Sequence, residues 1–438
     1  MKSPEAPGGP TPTISRVLPD GTLVEALYDA SECATALAVS TPDGEVSVVA
    51  HADLSPNERL VPYSARNNLI ATGCVLLPSA VTDFGTKADL VQEVRTFIHR
   101  YVDLTPVFED IAAHYVLLSW VYDAFKELPY LRFRGDYGTG KTRALLTIGA
   151  LSYKAFFASG ASTVSPIFHV LDAFGGTLIL DEADFRYSDA TAELTKILNN
   201  GNVEGMPVLR TMTNRHRELN PTAFRVFGPK IVGMRASFFD RALESRFLTE
   251  DMGARPLRSD ISIHLPEGLR AEALSLRNKL LAWRFRARFS VGPDPSRIVE
   301  GVEPRLNQTA LALLSIVDEP GLRDRIRDEL VGEEARVLQE RASSLEATML
   351  GVLVDAFAQA ESPYVTVSET TERFNLRACP ELGRPMTNKW VGGFLRTRLR
   401  LTPLKTRGVY VIPQTERLKI DMLARRHGIA VEATAIDE

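Results

Sequence analysis

Gly135-Asp-Tyr-Gly-Thr-Gly-Lys-Thr142 is the stretch on which the reading of this 438-residue chain turns. Its spacing is G-x-x-x-x-G-K-[ST]. Tyr130 to Phe133 (YLRF) just before it predicts a short buried strand, and Arg143 to Leu151 (RALLTIGAL) just after it predicts a helix. Glycines at 135, 138 and 140 let successive backbone N–H groups turn inward, and the following helix adds its positive end. Such a loop cradles phosphate. Gly135, Asp136, Tyr137, Gly138, Thr139 and Gly140 form the wrap, Lys141 meets the β and γ phosphates, and Thr142 holds Mg²⁺ through its hydroxyl. A chance glycine-rich turn is the competing reading, and the strand and helix flanks weigh against it. The expected ligands are ATP and Mg²⁺.

The second deciding stretch lies about forty residues downstream. In Gly176-Thr-Leu-Ile-Leu-Asp-Glu-Ala-Asp184 an apolar run ends in acids, the pattern of a buried parallel strand presenting carboxylates at the ligand crevice. Asp181 would serve the Mg²⁺ shell and Glu182 would polarise the attacking water. Asp181 to Asp184 also spells DEAD, but the chain has one phosphate loop, no Ser-Ala-Thr triplet downstream and too little sequence for a second motor lobe of that kind.

Beyond the acids, VLRTM (208–212) and AFRVF (223–227) predict a β-hairpin whose tip carries Arg215, His216 and Arg217. That tip is either a grip on a phosphate backbone or an ordinary solvated turn. Lys230 to Arg235 predicts another buried strand. Leu269, Ala273, Leu276, Leu280 and Trp283 share one helical face.

Upstream, Thr22 to about Pro78 alternates short β-type runs with turns, and Thr41-Pro-Asp-Gly44 is a hairpin signal. We read residues 15–85 as a mostly-β N-terminal domain after a flexible tail at 1–14, with two helices leading into the phosphate-loop strand: one through Leu90 to Tyr101, one from Thr105-Pro106 to about Phe125. At the far end, helices from Ala347 to about Ala360, within Val365 to Leu376, and from Thr387 to Arg400 precede a turn and strand. That is the order of a winged helix over 345–425. Lys389, Arg396, Arg398, Arg400, Lys405 and Arg407 fall there with no acid among them, an expected DNA-facing patch in a chain of net charge −4.

Composition sets limits. With 45% hydrophobic residues the chain can bury a large core, and its length suggests two or three domains. Cys33, Cys74 and Cys379 are odd in number and far apart, which argues against a disulfide framework or a zinc site. The opening residues lack the apolar core of a signal peptide, and Ile111 to Phe125 is too short and too polar to span a bilayer, so the expected location is the cytoplasm.

The order of phosphate loop, acid pair, polar residue ending a strand and Ala242-Leu-Glu-Ser-Arg-Phe247 resembles the AAA+ ATPase superfamily over roughly residues 86–320. The resemblance implies an α/β P-loop core with a helical lid. It also implies that Arg246 acts as an arginine finger in a neighbouring subunit's site, so that the protein is a ring. Arg235 falls where the family places its first sensor, normally Asn or Thr, and that departure leaves its role open. Val302-Glu-Pro-Arg-Leu-Asn307 is similar to the second-sensor stretch of minichromosome-maintenance-type helicases, which would put Arg305 on the γ-phosphate; a salt bridge at a helix start is the alternative. The whole order looks like the hexameric replicative helicases of phages, plasmids and pathogenicity islands. The expected function is therefore an ATP-driven hexameric motor on single-stranded DNA. A protein-remodelling or helicase-loading ATPase and an ATP-controlled DNA-binding switch are the alternatives.

Overall fold

The structure, a computed structural model, describes all residues except 1–8, 56–57, 160–161, 182–188, 214–218, 236–237, 239–240, 255, 301, 303, 343–344, 361, 383–384, 407 and 432–438. The side chains of 189–192, 213, 241–242, 333–342 and 379–382 also lie outside the description. The chain forms two units, Met1–Asp328 and Glu329–Glu438.

The first unit opens with β1 (Pro10–Thr13), β2 (Ser15–Val17), β3 (Leu23–Asp29), β4 (Ala34–Ser40), β5 (Val46–Val49), β6 (Ala52–Ser55) and β7 (Glu58–Pro62). Strands β2 to β5 make one antiparallel sheet in chain order, and β1-β7-β6 make a second. Gly44 N donates to Thr41 O at 2.9 Å, closing the turn between β4 and β5. The run from Leu69 to Pro78, expected as β, begins instead as α1 (Asn68–Ala71), because the Asn67 side chain caps it by accepting from Leu69 N at 3.0 Å.

Helix α2 (Lys87–Tyr101) starts in a reciprocal Thr86–Asp89 capping box and buries Leu90, Val94, Phe97, Ile98 and Tyr101. Helix α3 (Pro106–Trp120) is buried on every side from Phe108 onward, so it runs through the core rather than over it. It ends before Phe125 because Val121 leaves the helical region (φ −126, ψ 20) and a single 3-10 turn, Tyr122–Ala124, follows.

The central layer then assembles from β8 (Tyr130–Arg134), α4 (Lys141–Gly149), β9 (Phe156–Ser159), α5 (Val164–Phe174), β10 (Leu178–Asp181), α6 (Asp189–Asn200), β11 (Val208–Thr213), β12 (Leu219–Phe224), β13 (Lys230–Met234), α7 (Arg241–Glu244) and β14 (Phe247–Asp251). Five of these strands form a parallel sheet in the order β14-β8-β13-β10-β9. Leu131, Phe133, Leu178, Ile179, Leu180, Ile231 and Val232 are all buried, as strands covered on both faces require. All five strands run the same way, so the loops after β8, β10 and β13 gather at one edge of the sheet.

Strands β11 and β12 form a separate antiparallel ribbon. The second strand, Leu219–Phe224, starts four residues earlier in sequence than AFRVF (223–227) suggests, and contains Pro221 opposite Thr211. A two-stranded ribbon tolerates proline because its missing N–H faces an open edge. Arg225 leaves the ribbon to bond Asp172, its backbone N and Nε reaching Oδ1 at 3.1 and 3.2 Å.

Helices α8 (Leu269–Ala287), α9 (Pro304–Ile316) and α10 (Pro320–Ala342) follow. The N-terminal strands share one core with the sheet: Val24, Leu37 and Leu60 belong to the same cluster as Tyr130, Phe156 and Leu178. A buried ion network reinforces that join. Arg284 on α8 donates to Glu25 on β3 (Nε to Oε1, 2.6 Å) and to Asp123 (Nη1 to Oδ1, 2.8 Å).

The second unit contains α11 (Leu345–Gln359), β15 (Tyr364–Thr366), α12 (Val367–Leu382), α13 (Asn388–Thr397), β16 (Leu404–Thr406), β17 (Val409–Pro413) and α14 (Arg417–Arg426). Its sheet order is β15-β17-β16. Its own core includes Leu353, Phe374, Val391, Leu395, Ile412 and Ile420. Helix α13 stops at Thr397, short of Arg400, whose φ of 53 is incompatible with continuing the helix. No helix among the described residues is long and apolar enough to cross a membrane.

Candidate active site

The loop between β8 and α4 wraps as the glycine spacing requires. A Cβ on Gly135 would stand 2.5 Å from Met252 O and 2.8 Å from Thr139 Oγ1, so no other residue fits where the loop passes β14. Gly140 caps α4 with φ 93, aiming the first N–H groups of the helix into the loop. Lys141 Nζ donates to Gly135 O at 2.7 Å and Asp136 O at 2.6 Å, which folds the ammonium back across the mouth of the cradle.

Asp181 closes the site from β10. Thr142 Oγ1 donates to Asp181 Oδ2 at 2.6 Å, joining the two stretches read from sequence. A hydroxyl and a carboxylate at this distance are hard oxygen donors suited to Mg²⁺, with nucleotide phosphates and water completing the shell. Among the described residues no group of three or more His, Cys, Asp or Glu side chains is placed to hold a metal ion.

Arg235 arrives from the strand between these two. It directly follows β13, and its guanidinium lies over the Tyr137 ring of the phosphate loop, 3.6 Å from the centroid. Its charge is thus held at the loop itself.

Beside the loop is a cavity of about 470 Å³. Val102, Met252, Ala254, Leu257 and Ile261 make it largely apolar, while Asp103, Thr105 and Ser262 supply polar atoms, and Tyr137 to Gly140 form one wall. That is the size and character of a slot for a flat heterocycle. Two side chains pin its walls. The Glu250 carboxylate accepts from Thr105 N and Oγ1 at 2.7 and 2.8 Å, and Arg143 donates to Ser262 O and Ile263 O at 2.6 Å each. Sequence reading missed these residues because their partners lie more than a hundred positions away.

Solved structures similar to this chain include the apo C-terminal region of NrS-1 (11% identity, 89% of this chain and 96% of that one, TM-score 0.39). The active helicase Cch of SCCmec type IV (12%, 93% and 80%, 0.36) and a full-length MCM homolog from Methanopyrus kandleri (11%, 68% and 67%, 0.36) are others. No protein-family model matches the sequence, and no curated protein matches it.

The remaining sequence-derived candidates fall elsewhere. Arg246 precedes β14 and is buried, 6% exposed, with its Nη1 donating to Asn199 at the end of α6. Its carbonyl accepts from Tyr130 N, so it sits where β8 begins, whereas the phosphate loop starts where β8 ends. Five strand residues separate the two edges, about 16 Å. Arg305, exposed at the start of α9, lies near Glu127 at that same far edge, where burial pushes the Glu127 carboxyl up while Gln308 and Arg305 pull against it. Glu182, Arg215, His216, Arg217 and Arg407 lie outside the described residues. In the second unit Lys389, Arg396, Arg398, Arg400 and Lys405 are exposed, and Arg398 reaches Glu346 at 3.9 Å.

Arg143→Ala frees the 262–263 wall without touching the phosphate loop. It is expected to raise KM for ATP by about tenfold with little change in kcat, read by steady-state phosphate release. An unchanged KM would remove the cavity from the nucleotide site.

Proposed function

We propose that this chain is an ATP-hydrolysing motor that works as a ring, a hexamer by the family resemblance, and translocates on single-stranded DNA, unwinding duplex for the replication of a mobile element. The observation that carries the hydrolytic part is the Thr142–Asp181 bond at the head of a parallel sheet, with Lys141 on the same loop and Arg235 reaching over that loop from the end of β13.

In this reading the loop N–H groups and Lys141 bind the β and γ phosphates. Thr142 and Asp181 would hold the cation, which when bound would supply positive charge beside the phosphoryl oxygens. Arg235 adds positive charge beside Tyr137, and Glu182 orients water. The cavity at Val102 and Met252 takes the base. Arg246 and Arg305 sit at the edge away from their own loop, which supports roles in a neighbour's site. Arg246 must leave Asn199 to serve there. The ribbon formed by β11 and β12, between whose strands the sequence carries Arg215, His216 and Arg217, would follow the strand.

Turnover measured with and without single-stranded DNA tests the motor, alongside particle size with a non-hydrolysable nucleotide. Mixing tests the shared site. Arg246→Ala subunits titrated into wild type are expected to depress turnover more than in proportion to their fraction, and the pure variant to lose about 10³-fold or more. A linear mixing curve with a merely lowered Tm would make Arg246 a packing residue held by Asn199. DNA-indifferent turnover stimulated by a protein would favour a remodelling or loading ATPase.

A further inference from the structure

Helix α13 carries glycine at 392 and 393, midway along ten residues. Glycine weakens a helix interior relative to alanine, so each needs a reason. Gly392 is buried, and a Cβ there would make ordinary contacts with Arg396 Nη2 at 3.6 Å and Val367 Cγ1 at 4.0 Å. For Gly393 the fold supplies no reason. A Cβ added to it would meet nothing within 4 Å, and its φ is not in the left-handed region.

The surroundings of Gly393 are cationic. Lys389 and Arg396 stand four residues before and three after it, on one helical face, and both are exposed. Lys405 on β16 pairs across the strands with Tyr410 on β17. The Arg396 and Lys405 charges lie 5.9 and 6.0 Å from the Tyr410 ring centre, and Tyr410 is 48% exposed. No ion pair to Lys389, Arg396 or Lys405 occurs among the described residues, whereas Arg398, off this face, pairs with Glu346. Between Pro385 and Thr415 the sequence contains six basic residues and no acid.

We propose that Lys389, Gly393, Arg396, Lys405 and Tyr410 form a binding face for a nucleic-acid sugar–phosphate backbone, with Gly393 leaving clearance for the backbone to approach the helix. Lys389 and Arg396 take phosphates on either side of that clearance, and Tyr410 offers an aromatic surface flanked by charge. The charges are complementary to a polyanion, and the exposed Tyr410 ring suits the π-faces of a nucleic-acid strand. This face rests on the proposed engagement of DNA and adds where the second unit makes contact.

The test uses the full-length protein, fluorescein-labelled single-stranded and duplex oligonucleotides of one sequence, and polyglutamate as a non-nucleic polyanion. Gly393→Ala should raise Tm, because alanine suits a helix, and yet weaken oligonucleotide binding. Gly393→Gln should weaken it further, on the order of tenfold or more. Lys389→Ala with Arg396→Ala should reduce the slope of log affinity against log salt by about two. Tyr410→Ala should weaken the single-stranded probe more than the duplex if bases stack, and both equally if only the backbone is held. Wild-type affinity in the glycine variants, or equal binding of polyglutamate, would overturn the proposal. The motor reading is separable: DNA-stimulated turnover with unaltered binding in these variants sinks the face and keeps the motor. Lost binding in variants of a protein whose turnover ignores DNA keeps the face and sinks the motor.

Discussion

Lys141→Ala is expected to lower ATP turnover by about 10²–10³ at saturating Mg–ATP while leaving the melting curve unchanged. Among the described residues its ammonium bonds to the Gly135 and Asp136 carbonyls of its own loop, so no packing against a distant segment is lost with it. The phosphate oxygens of a bound nucleotide would take the place of those carbonyls. Asp181→Asn sharpens the test. Asparagine can still accept the Thr142 hydroxyl but carries no charge, so turnover should fall comparably and titration with Mg²⁺ should shift to higher concentration. Turnover at wild-type rate in both variants would end the phosphate-loop reading.

The largest stability effect is expected at Glu25, far from that chemistry. Glu25 is 2% exposed and accepts from Arg284 Nε at 2.6 Å and from Tyr153 Oη at 2.7 and 2.8 Å. Glu25→Ala strips Arg284, itself 2% exposed, of one of its two carboxylate partners and leaves only Asp123 to balance the buried charge, a loss of up to about 3–5 kcal/mol. Denaturant melts of the full chain measure it. Combining Glu25→Ala with Arg284→Met, which removes the buried cation as well, should cost less than removing the acid alone if desolvation dominates. The pH dependence has a definite sign. Burial pushes the Asp123 carboxyl up, but Arg284 and Arg288 outweigh it and hold it well below the usual carboxylate range. Stability from Asp123 is therefore complete above the unfolded pKa of about 4 and is lost as pH falls below it. An acid limb that is the same in Asp123→Asn and wild type would contradict that account.

Much of the central layer was legible because its signals are local. A strand, a glycine loop and a helix follow one another between Tyr130 and Gly149, and apolar runs mark β10 and β13 as buried. The mixed α/β character with a parallel sheet follows from such runs. What misled were stretches whose local signal is ambiguous. Leu69 to Pro78 looks β-like, but the Asn67 cap turns its start into helix. The AFRVF run looks like a strand, but Arg225 is drawn out of the ribbon by Asp172.

The sequence by itself determined which residues can cradle phosphate and hold a cation, because a turn of that shape tolerates only glycine at set positions and the chemistry needs Lys141, Thr142 and Asp181 by type. Only the tertiary structure decided what stands around them. It brought Arg235 onto Tyr137, put Met252 against Gly135, placed Arg246 at the opposite edge of the sheet, and buried Glu25 with Arg284. Those pairings join residues from 47 to 259 positions apart, and no local propensity encodes them. They arise because parallel strands out of sequence order, packed around one shared core, bring distant segments to a common edge.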